Sequence, residues 1–409
     1  MNNENMPLLF PDDDGEADII DIALKTVREH FDMEVAYLSE FVDDRAVFRA
    51  VSAPGLEDLI APGGTRDISD IYCQHILEGR LPNVMPDTLD EPLAAALPIT
   101  HTAPIRSHVS VPVYREDGSV YGMFCCLSPR PNDTLNERDL SVMKTFSGLA
   151  QREIHSSLAK RGKREAVESS IDAIIEGNGL QIVLQPIFKV GSDTPCGFEA
   201  LSRFKSDPYR PPNEWFDDAR LVNRQIELEV AAIRKAVEIL PSLPGHIYVA
   251  VNSSPATIAS GAIWEVMQNT PVTRVVLEVT EHENAEGFDN FNAELKKISD
   301  LGIRIAIDDV GAGYSGLSHI LRTLPQIIKL DMELVRNIDQ DPARRSLTRA
   351  LVHFKTGISC EIVAEGVETR DELECLVELG VDMVQGYYLG KPSDIASARS
   401  WFEAHAMAS

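Results

Sequence analysis

The stretch from residue 304 to residue 313 reads RIAIDDVGAG. Ile305 and Ile307 alternate with Arg304 and Ala306; then Asp308 and Asp309 stand back to back before a glycine turn. Alternation with a period of two predicts a short strand, here one that ends on two carboxylates. Neighbouring like charges repel, and burial raises the cost of ionising either one. The pair is stable only where water, a cation or hydrogen-bond donors answer both.

The same signature repeats on either side. Apolar runs alternate with helical stretches in the order QIVLQPIF, CGFEALSRF, IYVAVNSSP, RVVLEVTEH, IRIAIDDVG, QIIKLD, EIVAEGVE and DMVQGYYLG. These make about eight strands over roughly 230 residues, the size and repeat of a (β/α)8 TIM-like barrel. Helices such as FDNFNAELKKISDLG and RDELECLVELG lie between them, and each ends on glycine. Every run carries a polar residue near its C-terminal end: Gln185, Glu199, Asn252, Glu278, Asp308 with Asp309, Lys329, Glu365 and Gln385. A single Asp after a strand is ordinarily a turn residue or a helix cap. Repetition on every strand is not explained that way. In a parallel barrel these ends converge on one face, where the active site lies.

This inventory holds several carboxylates, one amide able to ligate, one lysine, and no His or Cys. Oxygen ligands of this kind suit hard cations such as Mg²⁺ or Mn²⁺. The carboxylates exceed what one ion needs. Two cations ~3.5–4 Å apart, sharing a carboxylate, suit in-line attack on a phosphate ester. Lys329 fits as the cation that orients or helps deprotonate the attacking water, or that stabilises charge developing on phosphate. Arg203, four residues after Glu199, can clamp a phosphate bidentately.

The remainder of the chain has another texture. From about Ala17 to Ser157 a helix, several strands and a second helix follow one another, an α+β pattern with an antiparallel sheet. The strands include VAYLSEF, AVFRAVS, SHVSVPVYR and VYGMFCCLS, and Asp117-Gly118 marks a hairpin between the last two. A helical pattern begins near Asn136, is interrupted by the basic run Lys160 to Arg164, and stops at Gly177. The expected division is residues 1–158, a helical linker at 159–168, and a barrel from 169 to 409.

Composition narrows the functional classes. The 409 residues are 44% hydrophobic and 25% charged, an ordinary globular mixture with enough chain for more than one core. A formal net charge of -26 argues against a nucleic acid polymer as partner. Six cysteines without C-x-x-C spacing read as reduced, buried thiols. The start, MNNENMPLLFPDDDGE, has no basic region followed by an apolar one, and no apolar run reaches the ~20 residues that span a bilayer. A cytoplasmic protein without membrane partners is expected.

At these residues the second half resembles the EAL domain family of cyclic di-GMP phosphodiesterases. The resemblance runs from about Glu165 to Ala408. It rests on Glu199-Ala200-Leu201 with Arg203, QPI at 185–187, VNSSP at 251–255, LEVTE at 277–281, DDVGAGYSGL at 308–317, IKLD at 328–331, AEGVE at 364–368 and QGYYLGKP at 385–392. It implies an altered TIM barrel that hydrolyses cyclic di-GMP to linear pGpG with two Mg²⁺ or Mn²⁺ ions. In the family, the residues matching Glu199, Asn252, Glu278 and Asp308 hold the first metal, and the one matching Asp309 serves the second. Those matching Lys329, Glu365 and Gln385 position metal or water, Gln185, Arg203 and Gln385 lie on the substrate side, and Glu281 anchors the loop after the paired aspartates. Two departures stand out. That loop usually reads DFGTGYSSL, and here Val310 and Ala312 replace Phe and Thr. In FDDARLVNRQIELE, Arg220 stands where the family has Glu beside Ala. No motif of the cyclic di-GMP synthases occurs.

The first half resembles a GAF domain through its fold pattern, YCQHILEGRLPNV and GSVYGMFCCLS. The resemblance implies a sensory and dimerising role and a small-molecule ligand that the residues do not name. Cys73 and His75 read as a buried thiol and a helix-surface imidazole. The expectation is a homodimeric phosphodiesterase regulated by its GAF half. The alternatives are a silent cyclic di-GMP receptor that signals to a protein partner, and a two-metal hydrolase of another phosphodiester.

Overall fold

The computed structural model describes residues 19–268, 270–279, 290–311, 320 and 323–406, with side chains to residue 402. It divides into two compact units between Lys163 and Arg164.

The N-terminal unit is a six-stranded antiparallel sheet. Its strands are β1 (Val35–Val42), β2 (Arg45–Ser52), β3 (Thr65–Asp67), β4 (Val84–Met85), β5 (Ser107–Tyr114) and β6 (Val120–Ser128), in the order β3-β2-β1-β6-β5-β4. The expected β5–β6 hairpin turns where Gly118 takes φ +81° and Asp117 accepts the Ser119 N–H at 2.9 Å. Alternation along the strands builds two apolar layers. On one face Leu38, Val111, Phe124 and Cys126 pack with Leu24, Val27, Met143 and Ile154 of flanking helices. On the other, Tyr37, Phe48, Met123 and Cys125 pack with Tyr72, Cys73 and Ile76.

Two expectations need correction here. His75 is buried, not on a helix surface. Its helix, Tyr72–Leu77, has only six residues, and Tyr72, Cys73 and Ile76 sink it into the sheet, so little of it faces solvent. The basic run from Lys160 to Arg164 does not interrupt the helix, which extends unbroken as Glu137–Glu176 with that run exposed. One glycine costs a helix only about 1 kcal/mol, and the flanking Lys and Arg favour it.

The C-terminal unit is a closed eight-stranded barrel. Its strands are β7 (Leu180–Lys189), β8 (Pro195–Phe204), β9 (Tyr248–Ser253), β10 (Val275–Val279), β11 (Arg304–Val310), β12 (Ile327–Leu330), β13 (Glu361–Ala364) and β14 (Met383–Val384). Neighbours are parallel around the barrel except at β7, which is antiparallel to both β8 and β14. An all-parallel reading is therefore wrong for the first strand. Only residues 190–194 join β7 to β8. A parallel crossover needs about a dozen residues or more, so this link can only make a hairpin.

Outside the barrel, apolar strand residues such as Val249, Leu277 and Ile328 pack against helices. Inside, Ile187, Tyr248, Ala250, Val276, Ala306, Ile327, Val363 and Met383 form a separate layer that fills the floor. Gly197 completes it, because a Cβ there would lie 2.4 Å from the Tyr248 ring. Among the described residues no helix is long and apolar enough to cross a membrane.

Candidate active site

The floor layer fixes where the polar residues point. Side chains of a strand alternate between faces, so the residue two positions along returns to the interior. Asn252 follows Ala250, Glu278 follows Val276 and Asp308 follows Ala306. Lys329 follows Ile327, Glu365 follows Val363, and Gln385 follows Met383; Glu199 follows Gly197. On the reversed strand the order inverts, and Gln185 precedes Ile187. Gln185 therefore sits in mid-strand, directly opposite Glu199, instead of at a strand end.

Lys329 stands at the centre, 1% exposed. Its ammonium donates to Glu278 Oε2 at 2.7 Å and lies 2.6 Å from Glu365 Oε1, 3.2 Å from Asp308 Oδ1 and 3.8 Å from Glu199 Oε2. Burial pulls its pKa down, but the four carboxylates outweigh burial and hold it well above the ordinary lysine range. Burial pushes Glu278 well above the usual carboxylate range, with Lys329 opposing. Glu365 is pushed up to about 8, again chiefly by burial.

The amides complete the frame. Asn252 Nδ2 donates to Glu199 Oε1 at 3.1 Å, and Gln385 Nε2 to Glu199 Oε2 at 2.7 Å. Gln385 Oε1 is buried without a hydrogen-bond partner. Gln185 Nε2 donates to the Gly390 carbonyl at 3.4 Å. Asp309 takes φ +56°, a strained value for a non-glycine residue, and its N–H donates to Asp308 Oδ1 at 3.0 Å.

Asp308, Asp309 and Glu365 each offer an oxygen within 4.8 Å of the others. One ammonium faces four carboxyl groups, more acid than a single cation can answer. Low dielectric makes such an excess costly. An all-oxygen donor set with surplus negative charge fits divalent hard cations.

Arg203 touches none of these carboxylates. It donates to the Ser202 carbonyl at 2.8 Å and lines a cleft with Asn252, Glu229 and Phe216. Arg220 lies on an exposed helix face, paired with Asp217 at 2.9 Å. Glu281 and Ala312 fall outside the described residues. Sequence reasoning passed over Glu229, a buried carboxylate on an outer helix.

A second cavity lies in the N-terminal unit, lined by Tyr37, Phe48, Tyr72, Ile105 and His108 among others. His108 is 1% exposed, neither ring nitrogen has a hydrogen-bond partner, and burial lowers its pKa to about 3.

Residues 167–392 match the EAL domain family model, more than half of the chain. The chain belongs to the EAL domain family. Residues 13–155 match the GAF domain model, so a GAF domain precedes the EAL domain. An uncharacterised signalling protein of Caulobacter vibrioides is 28% identical over 328 residues, 77% of this chain and 39% of that protein. The cyclic di-GMP phosphodiesterase PdeR of Escherichia coli K12 is 31% identical over 166 residues, 39% of this chain and 25% of that protein. This chain thus spans less than half the length of these curated relatives. A crystal structure of an EAL domain protein from Listeria monocytogenes EGD-e is similar at 26% identity with a TM-score of 0.53, covering 58% of this chain and 98% of that one. In this chain the EAL domain is a barrel with a reversed first strand and a ring of inward polar residues above its floor.

Proposed function

We propose that the EAL domain hydrolyses cyclic di-GMP to linear pGpG with two divalent cations, Mg²⁺ or Mn²⁺. The observation that carries this reading is the buried excess of carboxylate around Lys329. Family membership and the likeness to PdeR support the substrate. Glu199, Asn252, Glu278 and Asp308 would hold one ion and Asp309 the other. Bound, the ions supply charge neutralisation and polarisation of the phosphoryl group.

The chain's own residues do the rest. Lys329 keeps its proton among the carboxylates and donates toward charge that develops on phosphate. Glu365, whose Oε1 lies against the Lys329 ammonium, is placed to take a proton from the attacking water. Gln385, anchored through its Nε2, presents Oε1 as an acceptor. Arg203 in the adjoining cleft clamps a phosphate, and Gln185 closes the ring beside Glu199.

The GAF domain regulates this activity, and its cavity with the unpartnered His108 is the place for a small-molecule ligand. The reading includes a cytoplasmic homodimer. The test is incubation of the purified chain with cyclic di-GMP and Mg²⁺ or Mn²⁺, with and without EDTA, followed by chromatography. Metal-dependent pGpG is expected. Binding without product would favour a receptor instead. A chain starting at residue 159 with unchanged rate and unchanged dimerisation would remove the regulatory part.

A further inference from the structure

Glu229 belongs to the helix Gln225–Val237, on the outside of the barrel. It is 8% exposed, and a buried carboxylate needs partners. Its Oε2 accepts both the backbone N–H of Ser254 at 2.9 Å and the Ser254 hydroxyl at 3.0 Å. Its Oε1 accepts from Gln225 Nε2 at 2.9 Å.

Ser254 is a junction. It follows the last residue of β9 and caps the helix Pro255–Ser260, its Oγ accepting from the Thr257 N–H at 3.3 Å. Pro255 holds Ser254 extended, with φ −73° and ψ 155°. Two residues earlier stands Asn252, whose NH₂ is spent on Glu199. That leaves Oδ1 as the atom able to ligate. Carboxylates are drawn to a cation by charge. A neutral amide has only its position, and the backbone sets that position.

We propose that Glu229 is a positioning residue. By accepting from the N–H and the hydroxyl of Ser254 it fixes the end of β9, and so holds Asn252 where it ligates a divalent cation. The inference rests on the metal-dependent reading above. Outer groups that orient metal ligands typically account for about 10- to 100-fold in metal affinity or activity.

The test is titration of the full chain with Mn²⁺ alone, free ion read by electron paramagnetic resonance, for the wild type, Glu229→Ala and Glu229→Gln. Thermal midpoints and pGpG formation are followed in parallel. Glu229→Ala is expected to weaken Mn²⁺ binding by about 10-fold or more. Glu229→Gln keeps an oxygen for Ser254 and is expected to recover most of that loss. Unchanged Mn²⁺ affinity in Glu229→Ala, whatever its melting temperature, would reduce Glu229 to a structural cap. Should Glu229→Ala fail to fold, Ser254→Ala deletes one of the two bonds; a smaller loss of Mn²⁺ affinity is expected, and no loss overturns the proposal. A wild type that binds Mn²⁺ without cutting cyclic di-GMP, and binds it less well as Glu229→Ala, would refute the substrate and leave the positioning role standing. A wild type that binds no Mn²⁺ would end both.

Discussion

Each half of the chain buries a cluster of charge, and the two are balanced in opposite ways. In the GAF sheet one carboxylate, Glu40, takes Arg49 through two nitrogens at 2.7 Å, with Arg115 at 3.4 Å. One anion meets two guanidiniums there: both Arg49 nitrogens reach Glu40 Oε2, and Arg115 reaches Oε1. In the EAL barrel one ammonium meets four carboxylates. The first cluster is complete with protein groups alone. The second carries more anion than the protein answers, and that surplus separates a site from a structural ion pair.

The largest effects come from removing the surplus. Glu199→Ala or Asp308→Ala should reduce cyclic di-GMP turnover to background, as EDTA should in the wild type, with pGpG read by chromatography. Lys329→Ala should lower kcat roughly 10²- to 10³-fold, the scale for deleting one donor to transition-state charge, with less change in KM. A change mainly in KM would show that Lys329 binds substrate without acting on the chemistry. In the GAF cluster, Glu40→Gln should cost about 3 kcal/mol in urea unfolding, since breaking a buried pair leaves a charge uncompensated.

A smaller effect tests a satisfied carboxylate in the barrel itself. Glu372 accepts backbone N–H groups of Asn337, Glu368 and Thr369 at 2.9–3.0 Å. Burial raises its pKa, but these donors outweigh burial and hold it below the usual range. A depressed folded pKa stabilises above the unfolded value, near ~4.3, and that stability is lost as pH falls through the folded pKa. Glu372→Gln should therefore melt earlier at neutral pH, by about 1–2 kcal/mol, with the gap to wild type closing in acid. The smallest effect has the opposite sign. In EDTA, Asp308→Asn should raise the melting temperature slightly, because it removes one of four carboxylates crowded around a single ammonium, while abolishing turnover. A fall would mean that the four carboxylates are balanced without cations.

Much of the candidate site was legible in the sequence because barrel strands present inward residues at a fixed step. In VAVN, VVLE, IAID, IIK and IVAE an apolar or small residue precedes the polar one by two positions. The reversed strand broke that reading, although two signs of it were present. QPI places the polar residue first, and KVGSDTP is too short for anything but a hairpin. Glu229 was not legible. QIELE offers Glu227 and Glu229 on one helix, and only packing shows that the second is buried while the first is exposed. His75 was misjudged for a similar reason, since the depth of a six-residue helix depends on what lies beneath it.

The reversal of β7 has one more consequence. Leu180 pairs with Phe204, so the polypeptide enters the barrel at the mouth, where β8 ends, and not at the floor. Just upstream, Val167, Ile171 and Ile174 pack with Phe204 and Trp215 on that same rim. A torque applied to this helical stem would meet the barrel first at that rim, one pairing away from Arg203, before travelling the length of the strands.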